Sequence, residues 1–288
     1  MIYLSTVLIT LRPWQWIKNG LLFVPLVFAL RLGEISEVYV VCISFGIFCL
    51  ASSAVYCVND IFDAKTDLND VVNKDRPVAS GALGMLPVAG LSIVLLGVSV
   101  TISYIYVSPV LTAVVATYYF INLLYSAYLK TLIQWGVIIV SLGFVLRVYA
   151  GAVVIDLELS SWLILVTFFT ALFIGLIKRK NKYLTSSNVR EDSGIVDYLD
   201  ASINITAGLV IIIYCLWVIL GQQIFNDQRM LISIPFVICG ILRFIMIMRE
   251  GNSMRDPTIL LIKDTPLLLT FIAWFMVCFV ALYFEKVF

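Results

Sequence analysis

Five aspartates, Asp60, Asp63, Asp67, Asp70 and Asp75, fall within sixteen residues of a 288-residue chain that has only 18 acidic side chains. Asn59, Asp63 and Asp67 are spaced i, i+4, i+8. At about 100° per residue, Asn59, Asp60, Asp63 and Asp67 share an arc of about 100° on a helix. Along the axis they cover about 12 Å. Carboxylates so placed repel one another, and a divalent cation relieves that repulsion. A donor set made only of oxygen suits Mg²⁺, which keeps several waters and completes its shell with substrate phosphates. The segment therefore reads as half of a Mg²⁺–diphosphate site, with Asn59, Asp60, Asp63 and Asp67 as metal ligands. Lys74 and Arg76 follow directly, and Arg offers a phosphate two parallel donors. Pro77 and Ser80-Gly81 then turn the chain.

The elements that carry these residues belong to a membrane. Hydrophobic residues make up 62% of the chain and charged residues 13%, against about 45–50% and about 25% in ordinary globular domains. Stretches of about 20 apolar residues span a bilayer, and nine candidates occur, near 14–31, 38–58, 84–107, 109–129, 133–155, 160–177, 204–224, 231–248 and 266–284. Met1–Thr10 reads as an interfacial lead-in, with no cleavable signal pattern. Ser108-Pro109 allows only a tight turn between two spans. The chain is thus expected to be all-α, a single nine-helix domain over 1–288, with no soluble module between spans. With the N-terminus inside, fourteen of the 19 basic residues, Arg190 and Arg255 among them, lie on that side, three lie outside, and Arg147 and Arg243 fall within spans. That bias assigns the acid-rich segment, 59–81, to the cytoplasmic face of the plasma (inner) membrane.

The same face receives a second polar segment, 178–203, beginning KRKNKYLTSSNVREDSGIVDYLD. It is expected as a loop, a lid or second half-site carrying Lys178, Arg179, Tyr183 and Tyr198. A charge within a span is costly unless paired or wet, so Arg147 is a substrate-binding candidate, its alternative being an ion pair with a loop acid. Trp14 and Trp16 read as interfacial anchors. The chain has no histidine, which excludes His general bases, His-containing triads and His-ligated metals. Its six cysteines, Cys42, Cys49, Cys57, Cys215, Cys239 and Cys278, lie in apolar runs without a CxxC, so no disulfide framework is expected. A net charge of +1 implies no nucleic-acid partner, and oligomeric state is not legible.

Asn59-Asp60-x-x-Asp63-x-x-x-Asp67 followed by Arg76-Pro77 resembles the first aspartate-rich motif of the UbiA superfamily of intramembrane prenyltransferases. YSAYLK, from Tyr125 to Lys130, resembles that family's Tyr/Lys element after the fourth helix. The resemblance implies nine helices around a cavity open to the cytoplasmic side, Mg²⁺ as cofactor and a diphosphate substrate. LRPWQWIKN (Leu11–Asn19), SAVYCVND (Ser53–Asp60), FVLRVYAGA (Phe144–Ala152), SSWLILVTFFTALFIGLIKRK (Ser160–Lys180) and DPTILLIKD (Asp256–Asp264) are similar to its phosphoribosyltransferase branch. There the diphosphate belongs to phosphoribosyl diphosphate, and a polyprenyl phosphate in the bilayer attacks the anomeric carbon. The products are polyprenyl-phosphoryl ribose 5-phosphate and pyrophosphate, for envelope biogenesis.

The resemblance assigns Asp63, Asp67 and Arg76 to catalysis. Lys18, Asn59, Lys74, Arg76, Tyr125, Lys130, Arg147, Lys178, Arg179 and Tyr198 become expected substrate contacts. A lipid phosphate is anionic at neutral pH and needs no general base, consistent with the absence of histidine. The chain departs from the branch where an acid is usual three residues after Lys178-Arg179, and near Gly136. The second aspartate motif therefore has no clear counterpart, and Asp197 and Asp200 are candidates for it only by their position in the loop. Two alternatives stand. A conventional prenyltransferase would take a prenyl diphosphate and an aromatic or other small acceptor. A transporter would instead place polar residues and broken helices at the midplane.

Overall fold

The computed structural model describes residues 2–70, 73–185, 193–225, 229–249 and 263–287. The topological markers Arg190 and Arg255 and most of the 256–264 motif lie outside these residues. The described chain is helical throughout: α1 (Ile2–Leu11), a 3₁₀ segment (Pro13–Phe23), α2 (Val24–Phe28), α3 (Ile35–Asp67), α4 (Met85–Tyr106), α5 (Pro109–Ala127), α6 (Ile133–Val153), α7 (Ser161–Thr185), α8 (Ser193–Phe225), α9 (Ile234–Arg249) and α10 (Thr265–Val287). Eight helices, α3 to α10, with α9 entered through a short 3₁₀ turn, are long and apolar enough to cross a bilayer.

The expected first span, 14–31, takes another form. It is an 11-residue 3₁₀ segment followed by the five residues of α2. The segment begins at Pro13, after Arg12 in a left-handed conformation (φ 52°). A 3₁₀ helix rises about 2.0 Å per residue. Together the two pieces rise about 30 Å, the thickness of the hydrocarbon core. A hydropathy window registers such a segment's apolarity but not its hydrogen-bond pattern.

Two compact units make up the chain, Met1–Leu159 and Ser160–Phe288. In the first, the 3₁₀ segment, α1, α4 and α5 all pack on α3. The core is formed by Leu22, Leu26, Val41, Phe48, Leu111, Val115 and Ala150. Ser108 caps α5 by accepting from the Leu111 N–H at 3.1 Å, with Pro109 at the first helical position, so a two-residue connection suffices between α4 and α5. A smaller cluster of Cys57, Ala64, Val78, Leu83 and Val88 pins the turn after the aspartates onto α3 and α4. In the second unit α7 packs on α8, and α9 on α10. There Tyr214 meets Ser233 at 2.7 Å and accepts from the Trp274 indole at 2.8 Å.

The expected loop over 178–203 is corrected by this structure. Lys178–Thr185 are the last turns of α7, and Ser193 onward is already α8. Lys and Arg are good helix formers and favour a helix C-terminus. Polarity at that point marks where a helix leaves the bilayer, not where it stops.

Candidate active site

α3 contains 33 residues, about 50 Å of helix, against about 30 Å of hydrocarbon. The surplus carries Asn59–Asp67 beyond the apolar part without a break in the helix, so the four polar side chains keep the expected face. The chain then turns back over residues 73–84. Arg76 N–H donates to Asn73 O at 3.0 Å, Ser80 N–H to Arg76 O at 2.8 Å, and Leu83 N–H to Pro77 O at 2.9 Å. Gly81 supplies the positive φ (77°) that closes the turn. Asn73 also donates to the Asp70 carboxylate at 2.9 Å. This turn returns Arg76 to the carboxylates nine residues before it.

Each motif acid meets a base. The Arg76 Nη1 lies 2.7 Å from Asp67 Oδ2 and 3.8 Å from Asp60 Oδ1. Lys130, just past α5, pairs with Asp63. Arg12 pairs with Asp60, and its guanidinium lies 5.3 Å from the centroid of the Tyr56 ring. Asn59 accepts from the Ser126 hydroxyl, itself held to Asn122 O at 2.8 Å. Asp60 and Asp67 are 2% and 5% exposed. The Asp63 side chain is 29% exposed, the most open of the three carboxylates. No three Asp, Glu, Cys or His among the described residues converge on one point. The donor set still suits Mg²⁺ in its chemistry. Asp63 and Asp67 offer hard oxygens one turn apart, and a hard cation binds through one or two carboxylates plus waters and phosphates.

The first unit thus brings together Asn59, Asp60, Asp63, Asp67, Arg76 and Lys130. Lys74 is exposed on the turn. Tyr125 lies beside Gly136, where an added Cβ would stand 3.5 Å from its ring and 3.2 Å from Leu129 O. The short connection from α5 into α6 therefore needs the missing side chain. Lys178 and Arg179 belong to α7 and Tyr198 to α8, in the second unit. There Lys180 Nζ meets both Asp200 oxygens, at 2.7 and 2.8 Å, and Asp197 and Tyr198 are exposed.

Among the described residues Arg147 forms no ion pair with a loop acid. It is 5% exposed. Its Nε donates to Asn19 Oδ1 at 2.7 Å, Nη1 to Gly143 O at 2.7 Å, and Nη2 to the Tyr118 hydroxyl at 2.8 Å. The rings of Tyr118 and Phe144 lie 4.7 and 5.5 Å from it. Neutral acceptors and aromatic faces thus satisfy a buried cation. Gly143, Arg147 and Gly151 are spaced i, i+4, i+8 on α6. A Cβ at Gly143 would stand 3.7 Å from the guanidinium, and one at Gly151 would collide with Leu22 O at 2.0 Å. This face of α6 is cut to seat the 3₁₀ segment.

The same segment is fastened to α3. The Trp16 indole donates to Ser53 Oγ at 3.0 Å, and Ser53 in turn donates to Leu11 O at 2.9 Å. Asn19, fully buried, donates to Ser52 Oγ at 3.2 Å and Cys49 Sγ at 3.4 Å. Trp14 is exposed, as an interfacial anchor should be, but Trp16 is turned onto α3. Arg12, Asn19, Ser53, Tyr118 and Ser126 are site or support residues that the sequence reading did not single out. Ser52, Ser53, Tyr56 and Asp60 at helical spacing, and Gly143-x₃-Arg147-x₃-Gly151, were the available signals.

This fold and this set of facing charges define a helical membrane enzyme. Residues 21–263 match the UbiA prenyltransferase family, and the chain belongs to it. It is 31% identical over 294 residues to decaprenyl-phosphate phosphoribosyltransferase of Mycolicibacterium smegmatis, covering 95% of this chain and 91% of that one. It is 31% identical over 290 residues to the protein of the same name from Corynebacterium glutamicum, covering 96% of this chain and 87% of that one. The structure of a UbiA homolog from Archaeoglobus fulgidus bound to DMAPP and Mg²⁺ superposes with a TM-score of 0.68 at 16% identity, covering 97% of this chain and 98% of that chain. The fold is UbiA-type.

Proposed function

We propose that the chain transfers the 5-phosphoribosyl group from phosphoribosyl diphosphate to a polyprenyl phosphate. The bond between C1 of the ribose and the diphosphate oxygen breaks, and a bond from C1 to a lipid phosphate oxygen forms. Pyrophosphate leaves, and no proton has to be removed from the nucleophile. The observation that carries the reading is the helix-borne acid face of α3 met by cations from three separate segments, in a chain similar end to end to proteins named for this transfer.

Asp63 and Asp67, with Asn59, are the residues that would hold Mg²⁺. The ion would act there as a Lewis acid on the departing diphosphate. Lys130 and Arg76 stand beside those carboxylates and supply fixed positive charge where negative charge grows on the leaving group. Lys18, Lys74, Lys178, Arg179, Tyr125 and Tyr198 are proposed substrate contacts. Arg147 is proposed to act from behind, by fixing Asn19 next to Lys18. The chain works as one transferase domain over 1–288 in the plasma membrane, with the acid end of α3 on the cytoplasmic side, as the basic residues favour.

The test is transfer itself. Purified protein with Mg²⁺, a polyprenyl phosphate and phosphoribosyl diphosphate labelled in the ribose should move label into the lipid phase and release pyrophosphate. If label stays aqueous with every polyprenyl phosphate tried, while a prenyl diphosphate is consumed with an aromatic acceptor, the conventional prenyltransferase reading replaces this one.

A further inference from the structure

Arg12 and Arg76 share one buried carboxylate. Arg12 pairs with Asp60 Oδ1, and Arg76 Nη1 lies 3.8 Å from the same oxygen. Asp60 is 2% exposed. Its single charge cannot neutralise two guanidiniums, and Arg76 draws the remainder from Asp67 at 2.7 Å. Among the described residues, Nε and Nη1 of Arg12 and Nε and Nη2 of Arg76 take part in no hydrogen bond. The two guanidiniums are therefore held in place while four of their six nitrogens are unspent.

The hold on Arg12 is unusually firm. Its backbone sits at φ 52°, a conformation that costs a non-glycine residue about 1 kcal/mol or more and persists only where the surroundings enforce it. Pro13 follows, Ser53 fixes the carbonyl before it, and the Tyr56 ring lies beside the guanidinium. Along α3, Asp60 lies seven residues before Asp67, about 10 Å. The Arg12 end of the cluster is thus about two turns from Asp67, while Asp63, three residues on from Asp60, lies about 4.5 Å along the axis between them. If Asp67 takes a metal ion, Arg76 is left with its longer contact to Asp60. The pair then carries a net positive charge with four open nitrogens bearing six N–H donors, a match for a phosphate dianion.

We propose that Arg12 and Arg76, bridged by Asp60, form a seat for a phosphomonoester, adjoining the diphosphate held at Asp63 and Asp67, with Arg76 standing between the two and Arg12 belonging to the seat alone. Asp60 is the holder of this seat rather than a metal ligand. The proposal rests on the transfer reading above, in which two phosphomonoesters enter the site: the 5-phosphate of the sugar donor and the headgroup of the lipid. Both present the same chemistry, and binding measurements separate them.

The experiment is equilibrium binding to the purified full-length chain in detergent, with no transfer required. Three probes are used: ribose 5-phosphate, farnesyl phosphate and Mg²⁺-pyrophosphate. Arg12→Lys keeps a charge beside Asp60 but loses the fork. The double variant Arg12→Gln/Asp60→Asn removes both charges together, so no carboxylate is left buried alone. Both variants should weaken at least one monophosphate by roughly tenfold or more, and leave Mg²⁺-pyrophosphate within about twofold. The monophosphate affected names the occupant. Unchanged binding of both monophosphates overturns the proposal, as does an equal loss of Mg²⁺-pyrophosphate, which would give Arg12 to the diphosphate. Wild-type protein that binds neither monophosphate also overturns it. The transfer assay is read separately. Successful transfer by a chain whose Arg12 variants bind every probe normally would sink the seat and leave the transferase reading standing.

Discussion

α3 and α8 are both 33 residues long, and each outreaches the hydrocarbon by about 20 Å. Each carries acids on its polar end, yet the two ends are built differently. On α3 the acids are paired with bases 9, 48 and 67 residues away in sequence, and two of the three are almost wholly buried. On α8 the pairing among the described residues is a single one to the neighbouring helix, Lys180–Asp200, with the Asp200 side chain 37% exposed. Exposed pairs contribute little, and they ask little of the rest of the chain. Buried charges lose hydration that Coulomb attraction alone does not reliably restore. Gathering three segments around these carboxylates, two of them buried, is what the proposed metal site would ask of the fold. Acidic residues outside a span are thus informative only through what the fold brings to them.

The largest expected effect follows directly. Asp63→Asn and Asp67→Asn should each lower turnover about 100-fold or more in protein that stays folded in detergent, measured at saturating Mg²⁺. Asp200→Asn should cost no more than about threefold, because its pair lies at the surface. Equal losses at both ends would erase the distinction between the two helices.

The supports of the α3 end come next. Arg147→Leu leaves Asn19 and Tyr118 without their buried partner and should cost about 1–3 kcal/mol of stability. Gly151→Ala places a methyl 2.0 Å from Leu22 O and should cost a similar amount, about 1–3 kcal/mol, through displacement of the 3₁₀ segment. Thermal or denaturant unfolding in detergent reads both. In contrast, Lys180→Met should change stability by at most about 1 kcal/mol.

Single cysteines at Lys74 and Glu158, in a background cleared of the native thiols, should label from opposite sides of the membrane. Three spanning helices, α4, α5 and α6, separate the two positions. Labelling from one side would break the span order on which the two overhangs are compared.

The smallest effect is a pH dependence in the second unit. A hydrogen bond from Arg243, at 2.8 Å, holds the Asp264 carboxyl below its usual range, and the Leu267 N–H adds to it. A depressed carboxylate contributes stability above its unfolded value of about 3.9, lost as pH falls through the folded value. Arg243→Met should therefore flatten the acid limb of the stability profile below about pH 4, with little change at neutrality.

Much of α3 was legible because its signal is local. Asn59, Asp63 and Asp67 share a face by spacing alone, and Arg76 lies nine residues on. The spans of α4 to α6 were legible for the same reason, as apolar runs closed by Ser108-Pro109 and by the turn at Lys130. What escaped depends on distant parts of the chain. Nothing near Arg12 in sequence announces Asp60, and nothing near Asn19 announces Arg147. The run Lys178–Thr185 resembles a loop in sequence because its polarity is that of a helix end. α7 instead continues on good helix formers after it leaves the apolar layer. Residues 14–31 pass as a span, interrupted at the start by Gln15, Lys18 and Asn19, because an average over 20 residues cannot tell a 3₁₀ segment from an α-helix.

On the proposed reading the acid end of α3, and not that of α8, holds the metal and its diphosphate. Mn²⁺ offered with pyrophosphate to the purified protein, and followed by electron paramagnetic resonance, tests this without any need for turnover. Wild type and Asp200→Asn should give the same signal of protein-bound Mn²⁺–pyrophosphate, and Asp63→Asn/Asp67→Asn should give only the free complex. Bound signal retained in the α3 double variant and lost in Asp200→Asn would contradict the account.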